Sequence, residues 1–184
     1  MIYVLIVLAV VVLYIIVVFN GLISLKTRSE EAWSDITVQL KRRYDLIPNL
    51  VSAVKSYAKH EKGVFEEVTK ARANAIDAKD IKDKGKAENE LSKTLKSIFA
   101  VAENYPNLKA NENFLKLQGD LTDTENKIEA SRRFYNANVR DFNIRIKSFP
   151  SNIIASSFKF EAKTLFEVEA SQKEVIEKAP KVEV

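Results

Sequence analysis

The chain has no cysteine, a single histidine, and only four glycines and four prolines in 184 residues. Each shortage excludes something. Without cysteine there is no disulfide, no lipoprotein-type lipid attachment and no Cys–His nucleophilic pair, although the absence names no compartment. So few turn-forming residues leave little room for β-turns, and the apolar spacing is helical throughout, so the reading is all-α. No glycine-rich nucleotide loop and no Ser–His–Asp grouping occurs, and no carboxylate pair stands out among 25 acids. A metal site needs further ligands at defined spacing. The stretch around His60 and Glu61 reads "HEKGV", with valine where H-E-x-x-H needs its second histidine. No cofactor, no metal and no enzymatic activity are therefore expected; a hydrolase with an unrecognised site is the opposing reading.

Charge is also missing, locally. "MIYVLIVLAVVVLYIIVVFN" carries none, and residues 2–19 form one apolar run. As a helix this run is about 27 Å long at 1.5 Å per residue. That nearly matches a hydrocarbon core of roughly 30 Å. Residues 1–25 are read as a membrane anchor, with Ile2, Val4, Leu8, Val12, Ile16 and Phe19 in lipid and Leu22, Ile23 and Leu25 adding a turn. A cleaved signal peptide fits less well: no Lys or Arg precedes the run, the run is too long, and "VVFNGLIS" is a poor cleavage site. Lys26 and Arg28 follow the span closely, which places the body in the cytoplasm, with an extracytoplasmic body as the alternative. Apolar residues after Asn20–Gly21 predict that the anchor runs into the first body helix without a flexible linker. The net charge of +4 favours contact with anionic lipid but is no nucleic-acid footprint.

Residues 26–168 read as an antiparallel up-and-down bundle of long helices. One stripe runs Ile36, Leu40, Tyr44, Ile47, Val51, Val54 and Ala58, and Val64, Val68, Ala71 and Ala75 extend it. Its phase passes through Pro48, which removes the bond to the Tyr44 carbonyl, so a kinked helix is expected there rather than a loop. "DAKDIKDKGKAENE" (77–90) reads as a solvated connection with a turn at Gly85. A shorter helix follows through Leu91, Leu95, Ile98 and Ala102 and stops before Pro106. The strongest signal spans 108–149, with Phe114, Leu117, Leu121, Ile128, Tyr135, Val139, Phe142, Ile146 and Phe149 on one stripe. Pro150 ends it, and the segment carrying Ile153, Ile154, Phe158, Phe160, Leu165 and Phe166 should pack back on the bundle. Residues 169–184 read as a polar, flexible tail, whose last four residues "KVEV" resemble a PDZ-binding end.

Two polar clusters interrupt this apolar order. Arg42, Arg43, Asp45 and Asn49 surround Pro48, and Arg132, Arg133 and Asn136 lie in "SRRFYNANVRDFN". Arginine forks could bind phosphate or a lipid headgroup. The preferred reading is a structural polar network that pairs with acids on neighbouring helices, Glu103, Glu112, Glu125 and Glu129 being the candidates. Asp45 and Asn49 are expected to satisfy backbone groups freed at Pro48, and His60 to cap or pack. Aromatics among the second set of arginines lie on the helix stripe, which argues against nucleic-acid stacking.

Taken together, "EAWSDITVQLKRRYDLIPNLVSAVKSYAKHE" (31–61), "ARA" (71–73), "AVAENYPNLKANENFLKLQGDLTDTENKIEASRRFYNANVRDFN" (100–143) and "FP" (149–150) resemble the LemA family. The resemblance spans most of residues 1–168. It implies a bacterial single-span membrane protein with a helical bundle and no catalytic residues to transfer. It also implies links to magnetosome membranes and to membrane zinc metalloproteases. The expected function is a membrane-anchored, non-enzymatic scaffold that self-associates into a homo-oligomer and organises membrane lipid. The alternative is an adaptor or regulator of a membrane metalloprotease in envelope quality control.

Overall fold

A computed structural model describes residues 1–167; the expected tail, with its "KVEV" end, lies outside them. Among the described residues every regular element is a helix and there is no strand: α1 (Ile2–Tyr57), α2 (Lys62–Asp77), α3 (Ile81–Glu103), α4 (Pro106–Lys109), α5 (Glu112–Lys147) and α6 (Ser151–Ser157). Two compact units result. The first combines Met1–Gln39 with Lys127–Leu165, and the second combines Leu40–Asn126 with the segment from Phe166.

In the first unit, α1 is unbroken across Asn20–Gly21. Its residues 2–17 are apolar and mostly exposed, and only 6% of the most hydrophobic window is buried. A soluble core helix would be buried here, so this stretch is built for lipid. Packing begins at Val18. From there buried or half-buried positions recur at steps of four and three, Val18, Leu22, Leu25, Ser29, Ala32 and Ile36, which keeps one seam of the helix turned inward. Val18 and Leu22 meet Phe142 of α5 and Ile154 and Ala155 of α6, with Ile15, Leu25, Ile146 and Phe160 around them. The Trp33 ring lies 5.3 Å from that of Tyr135. Trp33 with Tyr135 and Leu22 with Phe142 define an antiparallel α1–α5 pair.

α6 closes with Lys159 in the left-handed region (φ 56°). The Lys159 N–H donates to the Ser156 carbonyl and the Phe160 N–H to the Ala155 carbonyl, which is the Schellman pattern of a helix end. It turns Phe160 back into the core. Asn143 then clamps the extended chain: its side chain donates to the Lys163 carbonyl (2.8 Å) and accepts from the Lys163 N–H (2.9 Å). Tyr135 donates to the Thr164 carbonyl at 2.8 Å, and Lys163 reaches Glu30 at 3.1 Å.

Three expectations are corrected in this unit. Phe149, expected on the α5 stripe, is 81% exposed, because α5 ends at Lys147 and the helical phase ends with it. Ile153 and Phe158 also face outward, since seven residues of α6 present one buried face through Ser151, Ile154 and Ala155.

The second unit holds the end of α1, then α2, α3, α4 and the start of α5. The long stripe expected to run to Ala75 breaks at residues 58–61, and α2 starts afresh with Phe65, not Val64, on its buried face. No glycine or proline lies within residues 58–61. On α1 Leu50 is fully buried and Val51 only half-buried, so the inward seam is Leu40, Arg43, Ile47, Leu50 and Val54, with Ala58 buried just past the helix end.

The stretch 77–90, expected as a solvated connection, is mostly helix. The link is residues 78–80, where Asp80 caps α3 by accepting the Lys82 N–H at 2.8 Å. Lys, Glu and Ala are good helix formers, so density of charge does not break a helix. Gly85 makes no turn. It is buried in α3, and a Cβ there would collide with the Glu167 carbonyl oxygen. The glycine admits a close backbone approach.

The buried arginine–glutamate–tyrosine cluster

On α1 the seam position between Leu40 and Ile47 is occupied by an arginine. Helical spacing turns Arg43 inward, and the side chain is 2% exposed. Its guanidinium donates through Nη2 to Glu88 of α3 and through Nη1 to Glu125 of α5 (2.5 Å) and Ser92 of α3 (3.1 Å). Glu88, itself 3% exposed, accepts from the Tyr44 hydroxyl with its other carboxylate oxygen. One arginine, one tyrosine and one glutamate thus tie α1 to α3, with Glu125 bringing in α5. A buried arginine needs such charged partners, because a lone charge in an apolar interior costs many kcal/mol. The Nε atom of Arg43 is buried without a partner among the described residues.

Around this centre the remaining cations cap backbone. Lys84 donates to the Ala75 carbonyl (2.6 Å) at the end of α2 and lies 5.7 Å from the Tyr44 ring centroid. Arg72 Nε donates to the Tyr44 carbonyl at 2.8 Å. That carbonyl is the one Pro48 cannot reach, since proline has no N–H. α1 continues through Pro48 with its orphaned acceptor filled from α2. The two groups should therefore be coupled. In Pro48→Ala the new N–H also serves the Tyr44 carbonyl, so Arg72→Ala should cost about 1 kcal/mol less there than in the parent. Thermal melts of the four proteins in the cycle measure that difference.

The sequence-named polar residues separate in space. Arg42 is partly exposed and meets Asp123 (2.9 Å) and Asp120 (3.6 Å), a surface pairing of small energetic weight. Asp45 and Asn49 are exposed beside Pro48; the backbone partner there is Arg72. His60 is exposed in the turn after α1, and Glu61 stands at the start of α2 without a side-chain cap. Arg133 is exposed and pairs with Glu129 on its own helix (2.7 Å), while Arg132 and Asn136 are half-buried on α5. Of the candidate acids, Glu125 meets Arg43, and Glu103 pairs with Lys109 instead. Glu88, Ser92, Arg72 and Lys84 escape the sequence reading. A signal for Glu88 exists: it extends the Leu91, Leu95, Ile98 spacing by one step toward the N-terminus. Reading 77–90 as a loop hides it. Among the described residues no group of three or more His, Cys, Asp or Glu is placed to hold a metal.

The cluster has an alkaline limit. Burial first, then the Glu88 charge and hydrogen bond, push the Tyr44 phenol far above its ordinary value of 10.0, with Arg43 opposing. Burial also raises Tyr135. The folded chain keeps these protons where the unfolded chain loses them, so stability is full below about pH 10 and falls as pH rises further. In an absorbance titration at the phenolate band, Tyr44 and Tyr135 should ionise together with loss of helicity. Their ionisation near the ordinary value, with helicity intact, would contradict the buried positions.

The chain is 23% identical over 175 residues to magnetosome proteins MamQ 1 and MamQ 2 of Paramagnetospirillum magneticum, covering 81% of this chain and 64% of each of theirs. It is 21% identical over 163 residues to magnetosome protein MamQ of Magnetospirillum gryphiswaldense, covering 74% of this chain and 60% of that protein. The chain thus spans under two thirds of the length of these relatives. Residues 32–183 match the LemA family over α1 beyond the anchor and all the later helices. The match over residues 32–183, most of the chain, makes this chain a member of the LemA family.

Proposed function

We propose that this chain is a membrane-anchored, non-enzymatic helical scaffold that self-associates and organises the membrane around it. The observation that carries the reading is where the chemistry-bearing groups point. Arg43, Glu88 and Tyr44 are turned inward and engaged with each other, whereas Val38 of α1 and Phe134 and Ile144 of α5 present apolar surface outside the anchor. Such a cluster supports a rigid fold; such a surface supports contact between copies. The relatives are named for the magnetosome and not for a reaction, which also supports an organising role. Lys26 and Arg28 beside the span favour a body on the cytoplasmic side.

Light scattering of the full chain in mild detergent tests self-association. A defined oligomer that Phe134→Asp and Ile144→Asp disperse supports the scaffold. A monomer that co-purifies with a membrane protease from native membranes favours the adaptor reading instead. For sidedness, Lys82→Cys should resist an impermeant maleimide in intact spheroplasts; ready labelling places the body outside.

A further inference from the structure

We propose that the turn between α5 and α6, together with α6, is embedded in the bilayer interface beside the anchor, so that the protein meets lipid through a wedge as well as through its span. The inference rests on the membrane span and not on self-association.

The exposed apolar stretch of α1, residues 2–17, is about 24 Å long at 1.5 Å per residue. A hydrocarbon core of roughly 30 Å needs about four residues more. The next residues on α1 are Val18 to Gly21, and they are not bare: Val18 packs on Ile154 and Ala155 of α6, and the Phe19 ring lies 4.7 Å from that of Phe158. If this turn of α1 completes the span, the elements packed on it enter the membrane with it.

Register gives the same depth independently. Trp33 faces Tyr135. Going back from Trp33 to Phe19 and forward from Tyr135 to Phe149 covers about 21 Å along each chain segment, nearly all of it helical. Phe149 therefore reaches the level of Phe19.

The side chains at that level suit the interface. Phe149, Ile153 and Phe158 are 81%, 57% and 53% exposed, three large apolar side chains that water would disfavour and acyl chains accept. Arg145, Lys147 and Lys159, close to them in the chain, are exposed; their long stems can follow the apolar surface while their charges reach lipid phosphates. Among the acids near these residues in the chain, Glu161 and Asp141 are both exposed.

Depth-dependent quenching decides the matter. The full chain carries one tryptophan, Trp33, about 21 Å beyond Phe19 along α1, which serves as the reporter outside the bilayer. In a Trp33→Phe background, Leu8→Trp, Phe149→Trp and Ile153→Trp would each be reconstituted in phosphatidylcholine–phosphatidylglycerol vesicles with brominated acyl chains. Phe149 and Ile153 are exposed, so neither substitution disturbs the core. The expected result is quenching of both wedge reporters at least threefold above that of Trp33, approaching that of Leu8→Trp. Quenching of Leu8→Trp alone, with both wedge reporters no more quenched than Trp33, overturns the wedge and leaves the span. No quenching of Leu8→Trp overturns span and wedge together. Wedge reporters shielded from both bromolipid and aqueous acrylamide would mean that a second copy covers the turn, and the lipid assignment falls.

Discussion

Glu88→Ala should destabilise the protein by about 3–5 kcal/mol, the range for removing one partner of a buried ion pair. The loss is large because of what is left behind. Arg43 keeps Glu125, whose carboxylate is half-exposed, and Ser92, but its Nη2 would face a cavity in an interior that excludes water. The Tyr44 hydroxyl would lose its carboxylate acceptor and retain only the Ala75 carbonyl, 3.3 Å away. Urea titration of the full chain in mild detergent, followed by circular dichroism, measures the change. A companion variant separates charge from shape: Arg43→Met with Glu88→Leu removes both charges and should recover most of the loss, since apolar replacement of a whole buried pair is often neutral. A Glu88→Ala effect below about 1 kcal/mol would mean that the cluster admits water and is a surface feature.

Phe142→Ala should cost about 3–5 kcal/mol for a large buried ring, and its effect should concentrate at the membrane-proximal end. Phe142 is the α5 residue on which Val18 and Leu22 of α1 and Ile154 and Ala155 of α6 converge, and its ring lies 6.2 Å from that of Phe160. Removing it takes away the contact that holds the Schellman-turned Phe160 against the bundle. Hydrogen exchange should therefore rise first in α6 and around residue 160, while α3 amides near Glu88 keep their protection. Uniform loss of protection throughout the chain would show instead that the two units unfold as one. The partial replacement Phe142→Leu should cost less, because the smaller cavity leaves more packing in place.

Several properties were legible in the sequence alone. An uncharged apolar run nearly as long as a hydrocarbon core reads as a membrane helix, because burial of apolar surface outweighs all local detail over such a length. Periods of three and four over α1 and α5 determine helices with one inward seam, since that spacing has no other regular solution. The long motifs were enough to point to the LemA family. Tertiary structure decided the rest. Periodicity reports which face of a helix is turned in, but not what a polar residue on that face meets, and the partner of Arg43 is Glu88, 45 residues away on another helix. Composition marked Gly85 as a turn, whereas its reason is the approach of the Glu167 backbone, a contact between segments far apart in the chain. Phe149 and Phe158 have the residue type of a core and the position of a surface, because α5 and α6 end where they do. In each case the deciding interaction is long-range, and a local pattern carries no information about which distant group closes it.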